Sequence, residues 1–139
     1  MKVDLLRKVP LFEDLSEEEL QTLADVTQIR KFPKNCIVIL ADEQGDSFFV
    51  IGAGKAKVSV TATDGREVIL SVLGSGEFFG DMSLLDDRPR SANVTTLEVS
   101  DLLVIRRSYF LEALQSHPSI ATKLMVTLAL RLRSADRQT

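Results

Sequence analysis

Hydrophobic and polar positions change period twice along this chain, and each change marks a boundary between kinds of element. Residues 1 to 24 read as helical. Ser16 followed by Glu17, Glu18 and Glu19 has the Ser-x-x-Glu form of a capping box and crowds acids at the positive end of a helix dipole, so a helix is expected to start at Ser16. Leu15, Leu20, Leu23 and Ala24 give it an apolar side, and Leu11 and Phe12 anchor the incoming chain.

From about Val26 the period is two. Ile29 to Phe32 and Cys36 to Ala41 are expected strands, parted by the turn-forming Pro33-Lys34-Asn35. Asp42 to Asp46 is a break, Ser47 to Ile51 a third strand, and Gly52-Ala53-Gly54 a tight connection. The clearest alternation follows: Ala56, Val58, Val60 and Ala62 face one way, and Lys55, Lys57, Ser59 and Thr61 the other. Asp64-Gly65 is a hairpin signal, with Glu67 to Leu73 as the returning partner. Asn93 to Leu97 and Leu102 to Arg106 close the series. Short strands with turn signals roughly every eight to twelve residues predict a mainly β fold with flanking helices, as a sandwich, barrel or jelly roll. Parallel βαβ architecture is disfavoured because no long helical pattern separates the strands.

The period returns to 3.6 at the end. Ser108 to Gln115 is one expected helix, and a longer one starts at Pro118, a good first helical position. Ile120, Leu124, Leu128 and Leu132 line one stripe of it, while Met125, Val126, Ala129 and Leu130 extend the apolar surface around the cylinder. A terminal helix packed on one sheet needs only one apolar face. The surplus predicts a second partner, most simply the same helix of another subunit about a two-fold axis. The alternatives are that the roll alone, or a further domain, covers it.

Composition narrows the class. The 139 residues, 45% hydrophobic and 27% charged, fit one domain: helices over 1–25, a β-roll over 26–107 and helices over 108–139, with no DNA-binding domain among them. No apolar run reaches the roughly 18 residues that span a bilayer, and Asp4 interrupts what a signal peptide keeps apolar, so no membrane role and a cytoplasmic location are expected. A single Cys36 rules out an internal disulfide or a multi-thiolate cluster and reads as a small buried strand residue. A net charge of −3 argues against direct contact with nucleic acid, since Arg131, Arg133 and Arg137 make only a short basic tail.

Candidate chemistry concentrates in Gly74 to Val94, GSGEFFGDMSLLDDRPRSANV. Its glycine spacing is wrong for a dinucleotide fingerprint, no Gly-Lys-Ser/Thr makes a P-loop, and one His117 cannot build the His and carboxylate cluster of jelly-roll metalloenzymes. No catalysis and no resident metal or cofactor are expected; binding remains. A short helical turn after Gly80 offers free N–H groups to an anion, which Arg90 can neutralise bidentately. Asp81 cannot share a phosphate, but its carboxylate can accept from a ribose hydroxyl. The bland reading is that Arg90 pairs with Asp86 or Asp87 at the surface and Asp81 caps the turn.

With Gly80-Asp81 running to Leu85 and then Pro89-Arg90-Ser91-Ala92, the stretch resembles the phosphate-binding cassette of the cyclic nucleotide-binding domains, Gly-Glu-x-x-x-Leu followed by Pro-Arg-Ala/Ser-Ala. Gly45-Asp46 with Phe48 to Ile51 and Gly54 resembles the family's Gly-Asp-x-x-aromatic-x-Ile-x-x-Gly strand pair, and the terminal helices resemble its B and C helices. The likeness covers nearly the whole chain and is greatest to the sensory domains of catabolite-activator and fumarate-nitrate type regulators.

The resemblance implies a double-stranded β-helix, or jelly-roll-like β-roll, with a long C-terminal helix. It makes Arg90 the partner of a cyclic phosphate, with Ser91 and Ala92 beside it. Gly80, Met82 and Ser83 lie around the ribose-phosphate, Leu70, Ser71 and Leu73 wall the pocket, and Arg131 lies near the base. The implied ligand is a cyclic nucleotide such as cAMP, sensed by a homodimer and coupled through its long helix to transcription. Two positions depart from the pattern. The ribose-binding Glu is Asp81, whose carboxylate reaches about 1.5 Å less far, and the polar residues that contact adenine in the catabolite-activator type are Ala135 and Asp136. The alternative function is a β-roll serving as a dimerisation or protein-docking scaffold.

Overall fold

The computed structural model describes residues 2–40, 45–80 and 92–137, with side chains as far as residue 133. Asp81, Met82, Ser83, Arg90 and Ser91 lie outside the described residues, as do the helical turn expected after Gly80 and the end of the strand expected at Ala41. Two short helices open the chain, α1 (Lys2–Arg7) and α2 (Glu17–Asp25), joined through a 3-10 turn at Pro10–Phe12. The expected helical stretch over 1 to 24 is therefore broken: Val9 is extended, and Pro10, lacking an N–H, begins the 3-10 turn. α2 starts where the capping box places it. Ser16 Oγ accepts from Glu19 N at 3.1 Å and Glu19 Oε1 accepts from Ser16 N at 2.8 Å.

Eight strands follow: β1 (Thr27–Phe32), β2 (Ile37–Ile39), β3 (Ser47–Ala53), β4 (Ala56–Thr61), β5 (Glu67–Leu73), β6 (Phe78–Phe79), β7 (Asn93–Thr96) and β8 (Ser100–Arg106). They form two four-stranded sheets, ordered β1-β8-β3-β6 and β2-β7-β4-β5, with every pairing antiparallel. Strand β3 runs on through Gly52 and Ala53, so the tight connection narrows to Gly54 and Lys55. Gly54 has φ 120°, and a Cβ there would lie 2.2 Å from Ser100 Oγ. β6 goes unread in the sequence because two residues between glycine turns show no period.

Strands β3, β6 and β8 of the first sheet are largely buried on both faces, while β1 is mostly exposed. Phe48, Val50, Leu103, Ile105 and Phe78 pack with the helices, while their neighbours Phe49, Ile51, Leu102, Val104 and Phe79 fill the inside of the roll. Continuous apolar runs in β3 and β8 are what burial on both faces demands. Phe48 stacks on Phe110 at 4.1 Å between ring centroids, and Phe49 stacks on its cross-strand partner Phe79 at 5.0 Å. The second sheet alternates less cleanly than its sequence. Ser59 is buried because the Glu67 carboxylate bends over that face, accepting from Ser59 Oγ at 3.0 Å and meeting Lys57 Nζ at 2.9 Å.

Two helices close the described chain, α3 (Arg107–Ser116) and α4 (Pro118–Arg137). Ile120 and Leu124 are buried and Leu128 packs beside them. Leu132, expected on the same stripe, is 65% exposed. It joins Met125, Val126 and Leu130 on an uncovered apolar surface. Cys36 is also not buried: it sits half exposed just before β2, where its N–H donates to Thr96 Oγ1 at 2.8 Å. Among the described residues no helix is long and apolar enough to cross a membrane.

Candidate functional site

The site is built on a fault in strand pairing. In the β4–β5 hairpin Val58 pairs with Ser71, but the next residue, Ser59, pairs with Ile69, leaving Leu70 as an extra residue. A bulge leaves its extra residue unpaired and disrupts the ladder locally. Directly paired residues share a face, so Ser71 and Leu73 stand on the face of Val58 and Ala56.

The chain then turns at Gly74 to Glu77. Gly76 has φ 86° and donates its N–H to Ile51 O at 2.7 Å, while Glu77 Oε2 accepts from Gly74 N at 2.7 Å. β6 follows, and Gly80 after it has φ 87°. A left-handed φ at Gly76 and Gly80 is costly for any residue with a Cβ.

Helix α4 crosses this corner. Arg131 Nη2 donates to Phe78 O at 2.7 Å, and its guanidinium carbon lies 4.5 Å from the Phe78 ring centroid, a cation–π contact. A cleft of about 1000 Å³ lies between β5, the turn and α4. Leu70, Ser71, Leu73 and Arg131 all line it. The volume is at the upper end of ligand sites, and the lining is mainly apolar with a few polar groups, the usual composition of a small-molecule pocket.

Of the remaining sequence-derived candidates, Gly80 and Ala92 are described but are not among the residues lining the cleft. Val72, Gly76, Glu77, Phe78, Thr122, Lys123, Val126, Thr127, Leu130, Pro10, Leu11 and Glu13 also line it and were not named as site residues from the sequence. The helical ones share a spacing: adjacent pairs recur every four residues at Thr122-Lys123, Val126-Thr127 and Leu130-Arg131, one strip of a helix. Pro10 to Glu13 have no such spacing, being brought in by tertiary packing alone. Among the described residues no group of three or more potential ligands could hold a metal ion.

The family model of the cyclic nucleotide-binding domain matches residues 29–117. The chain belongs to the cyclic nucleotide-binding domain family. As a member of it, the chain is 35% identical over 127 residues to the cyclic AMP receptor protein of Thermus thermophilus, covering 91% of this chain and 59% of that one. It is 29% identical over 133 residues to a CRP-like cAMP-activated global transcriptional regulator of Mycobacterium tuberculosis, covering 96% and 59%. Among solved structures, the catabolite activator protein of Thermus thermophilus matches with TM-score 0.83 and 35% identity, over 93% of this chain and 61% of that one. The chain thus spans about three fifths of the length of these relatives. The cyclic nucleotide-binding roll, two antiparallel four-stranded sheets with flanking helices, is the fold expected from the strand pattern and the cassette.

Proposed function

We propose that this chain is a non-enzymatic regulatory domain, residues 1–139 acting as one sensory unit, that binds cAMP or a similar cyclic nucleotide in the cleft between β5 and α4. The observation that carries the reading is the convergence of Leu70, Ser71, Leu73 and Arg131 on a single cleft beside the strand that leads into the cassette. In this reading Leu70 and Leu73 offer apolar surface to the base, and Ser71 a hydroxyl. Arg90 takes the cyclic phosphate with Ser91 and Ala92, Asp81 takes the ribose hydroxyl, and Gly80, Met82 and Ser83 supply the surrounding cassette. The ligand acts by binding one placement of α4 better than another, since only differential affinity shifts a conformational equilibrium. The exposed apolar face of α4 serves as a homodimer interface, and the output is control of transcription in the cytoplasm, the role named for the Mycobacterium relative.

Calorimetric titration with cAMP tests the site. Ser71 is exposed, so Ser71→Trp leaves the fold in place while filling the cleft. It should weaken binding by at least about tenfold, or 1.4 kcal/mol. Equal affinity of the two proteins would remove the cleft as the site. The scaffold reading draws on one observation, the uncovered face of Met125, Val126, Leu130 and Leu132. It predicts dimers with no heat of cAMP binding.

A further inference from the structure

Lys123 ties the start of α4 to the opposite end of the chain. Its Nζ lies 2.7 Å from Glu13 Oε1 and 3.3 Å from Asp14 Oδ2, the carboxylates that follow the 3-10 turn. Lys123 and Glu13 both line the cleft, so their ion pair is part of its wall. Eight residues on, about 12 Å along the helix, Arg131 holds α4 to the Phe78 carbonyl. Near the beginning of α4, His117 Nδ1 lies 2.9 Å from Glu19 Oε2, a second link to the same N-terminal segment. The stretch of α4 that borders the cleft is therefore fixed on one side to residues 13, 14 and 19 and on the other to β6.

The side chains of Glu13 and Asp14 are 57% and 59% exposed and that of Lys123 is 29% exposed, so the pair adds little to the stability of the fold. Its geometry matters more, because it joins two elements that line the cleft. We propose that Lys123 is a positioning residue for ligand binding: paired with Glu13 and Asp14, it holds α4 against the N-terminal wall of the cleft, in the placement at which the cleft accepts a cyclic nucleotide. This rests on the cyclic-nucleotide reading of the cleft. Preorganisation of this kind raises affinity by removing an ordering cost from the binding step.

The test is the Kd for cAMP of the unmodified chain, Lys123→Met, the double variant Glu13→Gln with Asp14→Asn, all three changes together, and Lys123→Arg. Methionine keeps the aliphatic stem and loses the charge. Lys123→Met and the double variant should each weaken binding about fivefold. The triple variant should be no weaker than Lys123→Met alone, because all three changes remove one interaction, and Lys123→Arg should stay within about twofold. An unchanged Kd with only a lower Tm, or losses that multiply in the triple variant, would overturn the clamp while leaving the nucleotide site intact. Absence of cAMP binding by the unmodified chain would overturn both.

Discussion

Arg90 and Asp81 divide the ligand between them in the proposed mode, the guanidinium taking the phosphate and the carboxylate a ribose hydroxyl. Removing a charged partner from a desolvated, charge-assisted pair costs about 2–5 kcal/mol. Arg90→Ala should therefore abolish a cAMP response in calorimetry at micromolar ligand, and a variant that binds more tightly would dismiss the role. Asp81→Glu restores the longer acid of the family pattern and should tighten binding; weaker binding would show that the carboxylate is not placed for the ribose. These two residues are proposed from the cassette spacing and lie outside the described residues. The bulge at Leu70 is not legible in the sequence, because register belongs to two strands at once and the alternation of either strand is silent about it. Ser59 and Cys36 depart from their expected burial for a related reason. Ser59 is covered by Glu67, reaching across from the partner strand, and Cys36 lies just outside the strand whose apolar run it shares.

At the scale of elements, the start of α4 is read from Pro118 and that of α2 from a capping box whose members lie within four residues. Ser16→Ala should lower stability by about 1 kcal/mol in urea unfolding, and no change would mean that tertiary packing alone fixes the helix. The same box makes stability pH-dependent. The Glu19 carboxyl is held below its ordinary 4.5, first by the Ser16 backbone N–H and then by the Ser16 hydroxyl and His117. Glu67 is held below 4.5 by Lys57 and Ser59. With folded values below unfolded ones, the folded state binds fewer protons, so both contributions are complete above the unfolded pKa and are lost as pH falls through the folded values. Melting temperature should drop from pH 5 downward, and Glu67→Gln should flatten part of that slope. A slope unaltered in Glu67→Gln would show that Glu67 is not one of the acids responsible. The break at Pro10 has a local cause, the missing N–H, whereas the strand β6 is less legible because two residues are too few for a period.

Across the whole molecule, apolar surface is distributed unevenly. Strands β3 and β8 are largely buried on both faces, whereas α4 leaves Met125, Val126, Leu130 and Leu132 uncovered. An apolar helix face of this length is normally buried in a partner. Light scattering should therefore give a dimer at micromolar concentration, converted to monomer by Leu132→Glu with Met125→Glu. A monomer in the unmodified chain would contradict the homodimer. That surplus is visible in the sequence as an apolar pattern wider than one face, though Leu132 belongs to the exposed side rather than the buried stripe. The cleft has no such signature as a whole, because its walls come from residues 10–13, 70–78 and 122–131 and meet only after folding.

The central claim is that the cleft and the cassette beyond Gly80 bind a cyclic nucleotide. Thermal unfolding of the unmodified chain with and without cAMP tests it most directly, since a ligand bound only by the folded state adds about 2.7 kcal/mol of stability at one hundred times its Kd. The account predicts a melting temperature that rises with cAMP concentration in the unmodified chain and stays fixed in Arg90→Ala. No rise in the unmodified chain with cAMP, cGMP or cyclic di-GMP at millimolar concentration would contradict it.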